Sequence, residues 1–371
     1  MDVREPHPDD RLSRPAPAPP RRHDWGERLS DRVRRALGAG DFTTARQLCL
    51  EGDGHARSLE KEYALMYKGL GITLRVMLGL AGDTVGRHAE PGSAARALAA
   101  LLARFRRELG ALLRQAYTDD VVGPVVAGIG EPAATEAPAR HVAATVGVLE
   151  AAEGLFDREQ ARLAAEVVAA IDAGRVDRAR AAIDRKEHGQ YVPLHDRLVR
   201  LMAEVFGLVL ERSGADELYR FHRATAEGQR RGFEAWERMS AEAFARATAF
   251  LLKQHMGVVE VREDDERYTI VQTPCGSGGR LRLAGAYEGE DALPLVQGPG
   301  PLTHGQARFP VYCSHCPIWN GVAPMEWFGR PHWVFEDPSR PDGSCTLHVM
   351  KRRDGAPAAY ARILGVAGGS A

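Results

Sequence analysis

Four cysteines fall in the last part of the chain: Cys275, Cys313, Cys316 and Cys345, in the contexts TPCGSGG, YCSHCP and GSCTLH. One cysteine is followed by 37 residues, a C-x2-C pair, 28 residues and a last cysteine. A C-x2-C pair on a tight turn brings two thiolates within reach of one metal ion, and four thiolates close a tetrahedral zinc shell. Binding energy of that size can fold a domain too small to hold itself together. The expectation is a zinc site held by Cys275, Cys313, Cys316 and Cys345. The same residues allow a catalytic metal with three protein ligands and an open position, an iron–sulfur cluster, a dithiol pair, or unliganded core thiols. Cys49 stands apart from them.

Chemistry beyond the thiols is suggested by their surroundings. Phe309, Tyr312, Trp319, Trp327, Phe328, Trp333 and Phe335 lie within 27 residues of one another. Aromatic walls with a few polar groups make a ligand pocket; they also make the core of a small domain. Trp319, Trp327, Trp333 and Arg280 are the candidate ligand-binding residues. His315 and Glu326 are the candidate acid and base. His315, between the two cysteines of C-S-H-C, points away from a shared metal and serves either as proton shuttle or as a partly exposed turn residue. His348, three residues after Cys345 in a strand, faces the opposite side. CGSGGR has the composition of an anion nest, but lacks the spacing of a nucleotide-binding loop.

His188, His195, His222 and His255 occur in a helical stretch with Asp196, Glu204 and Glu217. They form no Glu-x-x-His pair of the kind that holds metals in helical bundles. They read as structural or exposed, with His255 an imidazolium facing a helix C-terminus.

The elements that must position these groups follow from periodicity. Residues 1–25 are rich in Pro, Arg and Asp and form an expected disordered tail. Residues 26–117 and 140–256 carry helical patterns and make two helical units, with a Gly- and Pro-broken linker at 118–139. Pro193 opens one helix, Ser240 caps another, and Gly38, Gly40, Gly214 and Gly257 close helices. At a shift of 134 residues, Val33, Ala36, Gly40 and Ala45 meet Val167, Ala170, Gly174 and Ala179. This is either an internal duplication or the common look of a helix–Ala-Gly–helix turn. Residues 257–353 alternate in the manner of strands, in VVEVREDDERYTIVQTP, LRLAGAY, HWVFED and CTLHVMKR, and form the cysteine-bearing metal domain. Residues 354–371 read as a flexible tail. The fold class is a mainly α region, duplicated or not, followed by a small α+β or β-rich metal-binding domain.

Bulk composition excludes some roles. Forty-nine Lys and Arg against 50 Asp and Glu leave a net charge of −1, which argues against coating nucleic acid or an anionic membrane. No continuous run of about 18 apolar residues marks a membrane span, and the first residues lack the apolar core of a secretory signal. With few and clustered cysteines, this places the chain in the cytoplasm. No motif matches a known family residue by residue. The expected function is a cytoplasmic metal-dependent enzyme acting on a small molecule. The alternative is a non-catalytic ligand-sensing or protein-interaction module with a structural zinc. A homodimer through the helical region is compatible with either.

Overall fold

The computed structural model describes residues 23–366 apart from 54–55, 89–92, 118–120, 124, 126–131 and 134–135. The architecture is mainly helical, with a small antiparallel sheet near the C-terminus. At its centre is the helix Val192–Ser213, buried on nearly every side from Leu194 to Val209. A helix apolar all round belongs in a core. It packs against the helices Ala64–His88, Ser93–Ala116 and Ala215–Glu227. Pro193 stands in its first turn and Gly214, at φ 84°, ends it.

A second, smaller core joins two helical hairpins. One is formed by Leu29–Gly38 and Phe42–Glu51, the other by the end of Pro138–Asp172 and by Val176–Asp184. Gly40 and Gly174 turn them at φ 73° and 67°, a conformation that glycine adopts without a Cβ penalty. The turns share their hydrogen bonds: Asp41 N to Ala36 O matches Arg175 N to Ala170 O, and Gly40 N to Leu37 O matches Gly174 N to Ile171 O. The 134-residue correspondence thus describes two turns of one geometry, packed into one core.

The sheet has the order β1 (Val259–Glu263), β2 (Arg267–Gln272), β6 (Cys345–Met350), β5 (Val334–Glu336), all antiparallel. A separate pair joins β3 (Leu295–Gln297) to β4 (Arg308–Pro310). The expected hairpin of β1 and β2 is present, with Asp264 Oδ1 accepting from the backbone of Glu266 and Arg267.

Four expectations are corrected here. LRLAGAY is not a strand: Gly278–Leu283 is a short helix. The N-terminal tail stops short of residue 25, because Trp25 is buried and lies 5.6 Å from the Tyr268 ring; residues 1–22 fall outside the described residues. The C-terminal stretch is not simply loose. Helix Ala358–Ile363 brings in Tyr360, whose hydroxyl donates to Trp333 O and accepts from Phe335 N. Finally, residues 257–353 are not a free-standing domain, because their apolar side chains and those of the long helices form one continuous core. Most of the expected linker at 118–139 lies outside the described residues.

Ala64–Thr84 is long and apolar enough to cross a membrane by length and composition, with a mean hydropathy of 1.3. Here one face of it packs inward through Leu74, Met77, Leu78 and Ala81, while Leu65 and Ile72 are exposed.

Candidate ligand cavity

Helices and sheet enclose a cavity of about 1120 Å³. Ligand sites commonly hold about 300–1,000 Å³, so this one has room for a molecule of substantial size. Met66, Leu70, Met202 and Leu252 line it from the helical side, and Trp319, Trp333 and Phe335 from the C-terminal side. Leu65, Gly69 and Ile72 also line it, and at the opening the exposed Leu65 and Ile72 share the rim with the charged Glu227 and Arg231.

The four C-terminal cysteines all line this cavity. Two glycines permit their approach. A Cβ on Gly278 would come within 2.7 Å of Cys313 Sγ, and one on Gly279 within 3.0 Å of Cys275 Cβ and 2.3 Å of Gly343 O. The CGSGGR glycines therefore serve close packing against thiols. Each thiol has its own neighbour. Cys313 Sγ accepts from Arg282 Nη1 at 3.3 Å, Cys316 Sγ lies 3.5 Å from His315 Nε2, and Cys275 Sγ lies 3.6 Å from Ser277 Oγ. Burial pushes the Cys313, Cys316 and Cys345 thiols up, the neighbouring cysteines reinforce the rise, and Arg282 opposes it. They are neutral thiols, not thiolates.

This corrects the metal reading. Among the described residues, no three His, Cys, Asp or Glu side chains converge so as to hold a metal ion. A zinc shell needs thiolates aimed at one point; here Cys275, Cys313, Cys316 and Cys345 line a wall. Zinc, the iron–sulfur alternative and the metal-dependent enzyme built on them fall with that geometry, as does the structural zinc of the binding-module reading.

The other expected residues divide. His315 is buried and lines the cavity. Its Nδ1 lies 2.5 Å from Tyr312 O, so this nitrogen carries the proton and Nε2 holds the lone pair. Burial pushes it down to about 4, with the Tyr312 carbonyl opposing. Trp319 and Trp333 line the cavity too, and their indole N–H groups donate to His222 O and Thr248 Oγ1. Glu326 is absent from the lining and pairs with Arg223. Trp327 packs against Phe233 under Arg230, outside the lining. His348 turns from the cavity to bond Glu336 and Thr269.

The helical histidines hold what sequence reading missed. His255 lines the cavity directly after the helix Ala241–Gln254. Its Nδ1 is 2.7 Å from His195 Nε2, and His195 Nδ1 is 2.8 Å from Asp196 Oδ1. Arg280, expected to touch ligand, instead donates to Asp196 Oδ1 and lies 3.0 Å from His195 Nδ1 through Nη2, while its Nη1 donates to Met256 O. The helix end carrying His255 is pinned on three sides. Gln254 Oε1 accepts from Met66 N, Gln254 O accepts from the Tyr191 hydroxyl, and Lys253 Nζ donates to Glu27 O.

Burial drives His255 well below the ordinary imidazole range, reinforced by His195, Arg280 and His315. Burial also lowers His195, although the Asp196 bond pulls it up. Both rings are neutral, contrary to the helix-end imidazolium expected for His255. Burial alone would raise Asp196, but its bonds from His195 and Arg280 hold it below the usual carboxylate range. His222, buried and driven well down by burial and by His315, donates from Nε2 to Ser314 Oγ and ties the helices to the C-S-H-C turn.

Gln272 ends β2 opposite Val259, close to where the chain leaves His255. It is 3% exposed, lines the cavity, and its Oε1 has no hydrogen-bond partner. A buried acceptor left open among the described residues costs roughly 1–3 kcal/mol. Compared with family models, with curated proteins and with solved structures, the chain finds no match.

Proposed function

We propose that this chain binds a small, largely apolar molecule with one polar end. The observation that carries the reading is the cavity itself: a large, mostly apolar space with a few polar groups in its lining, among them His255 and the four thiols. That composition fits small-molecule sites, in which apolar walls supply affinity and a few polar groups fix orientation. The aromatic and aliphatic lining accepts the body of the ligand. His255 and the thiols face its polar end.

The test is a titration with anilinonaphthalene sulfonate, a dye that brightens in apolar surroundings. The native chain should bind the dye saturably, one molecule per chain. Gly69 lines the cavity, and a Cβ built on it meets nothing within 4 Å. Gly69→Phe should therefore fill part of the cavity without a clash and weaken dye binding at least about tenfold, the factor carried by 1.4 kcal/mol. Dye binding that is absent in the native chain, or unchanged in Gly69→Phe, contradicts the proposal.

A further inference from the structure

The geometry points to a proton-transfer site at the polar end of the cavity, in which His255 exchanges a proton with the ligand and His195, Asp196 and Arg280 set its state. This rests on the cavity reading above and names the chemistry of the molecule bound: a neutral compound with an apolar body and a weakly acidic O–H or N–H group.

The argument begins with tautomers. Two neutral imidazoles joined through His255 Nδ1 and His195 Nε2 share one proton along that bond. When His255 Nδ1 donates, His195 Nε2 accepts and His195 Nδ1–H donates to Asp196 Oδ1. His255 Nε2 is then left with a lone pair, a base. When His195 Nε2 donates instead, His195 Nδ1 needs a donor, and Arg280 Nη2 lies 3.0 Å away to serve. His255 Nε2 then carries the proton, an acid. Asp196 and Arg280 between them satisfy His195 in either state, and remain paired with each other throughout. A carboxylate alone would favour the base, and a guanidinium alone the acid.

The proton balance closes without a further reactant. A ligand O–H gives its proton to His255 Nε2. The proton on His255 Nδ1 passes to His195 Nε2, and the positive charge comes to rest on His195, whose Nδ1–H faces the Asp196 carboxylate. The ligand anion stays in the cavity. Return of the proton reverses each step. Tyr191, whose ring centre lies 5.5 Å from that of His195, packs behind the relay, and its hydroxyl is committed to Gln254 O. The charged and titratable groups facing the pair are Asp196, Arg280, Tyr191 and His315.

The experiment uses the full chain and two probes that differ by one hydroxyl, para-cyanophenol and benzonitrile. In the native chain the phenol should bind about tenfold more tightly than the nitrile, the worth of one well-placed hydrogen bond. In His255→Phe the preference should fall to about one. His255→Gln, which keeps a polar end, gives a second measure if the phenylalanine variant folds poorly. Long-range proton–nitrogen spectra of the native chain with labelled histidines supply a readout that a structural role would not move. Both His195 and His255 should stay neutral at pH 7 and protonate only below the ordinary imidazole range. The phenol should shift nitrogen signals in both rings, and the nitrile in neither.

An unchanged phenol preference in both variants overturns the proposal. So does a native spectrum in which the two histidines titrate independently near pH 6.5. Dye binding by the native chain separates this failure from that of the cavity reading: saturable binding of anilinonaphthalene sulfonate together with an unchanged phenol preference overturns the proton-transfer site alone. Loss of the dye from the native chain overturns both readings.

Discussion

Two sets of ionisable groups among the described residues are built on opposite plans: one is buried, and in the other Asp196 and Arg280 keep side-chain exposures of 38% and 21%. One joins the helical hairpins to the long helices. There Glu62, Tyr63, Lys186 and Glu187 are buried. Glu187 accepts from Ser30 and Tyr63 through one oxygen and from Arg34 through the other. Lys186 Nζ has no hydrogen-bond partner and sits 4.5 Å from the centre of the Tyr63 ring. None of these groups lines the large cavity. Their charges are answered from within, and Lys186 and Glu187 belong to a π-helical turn, Arg185–Tyr191. The second set, His255, His195, Asp196 and Arg280, is answered from within on one side and meets open space on the other. The lesson is that burial of charge does not by itself mark a function. What distinguishes the second set is that it ends at a cavity.

The sharpest way to break the comparison is to change one residue of the closed set and one on the cavity wall. Glu187→Ala takes the carboxylate acceptor from the buried Tyr63 hydroxyl, while Arg34 keeps Asp184 and Asp31, and should lower stability by roughly 1–3 kcal/mol. Denaturant unfolding measures it. Cys275→Ser, on the cavity wall, should cost under about 1 kcal/mol. A similar cost for both would erase the distinction.

The next effect is a pH slope confined to the closed set. Burial raises the Glu62 carboxyl to about 7, with Lys186 opposing and Glu187 reinforcing. Its ordinary value is near 4.5. A carboxyl raised on folding stabilises below its unfolded value, and that stability is lost as pH rises through about 7. The stability difference between native chain and Glu62→Gln should therefore change by on the order of 2–3 kcal/mol across that window. A flat difference contradicts the assignment. His315 on the cavity wall has the opposite sign. Its folded value is about 4, so its contribution is present above the unfolded value of about 6.5 and is lost as pH falls from there toward 4. His315→Gln should soften acid unfolding by a comparable or smaller amount, read by thermal melts at falling pH.

The smallest stability effect belongs to Gly69→Phe. Its side chain enters open space at the cavity, so unfolding should move by about 0.5 kcal/mol or less while dye binding falls. Equal loss of both would mean that the variant distorts the helix rather than fills the cavity.

Much of the scaffold could be read from local sequence. Ser240 caps its helix by accepting from Ala243 N, Pro193 opens the central one, and the alternation around Glu-Asp-Asp-Glu forms the β1–β2 hairpin. Local pattern failed where a few residues decide. LRLAGAY became a helical turn, because Gly278 and Gly279 must pass close to two cysteines. The site was legible in one half. The thiols and aromatic residues share the cavity, but C-x2-C spacing suggested a common point where the structure builds a wall. The relay was illegible because its partners are distant in sequence: His195 and His255 are 60 residues apart, and Arg280 meets Asp196 across 84. No periodicity records such a pairing.

The most direct test of the cavity is thiol labelling with a neutral maleimide, counted by intact mass with and without anilinonaphthalene sulfonate. Cys49 is buried in the hairpin core and does not line the cavity. It should stay unlabelled in the native chain in either condition. Cys275, Cys313, Cys316 and Cys345 should be labelled through the cavity, Cys275 and Cys316 ahead of the more buried Cys313, and the dye should slow all four together. Labelling of the four that is indifferent to the dye, or no faster than that of Cys49, would contradict the account.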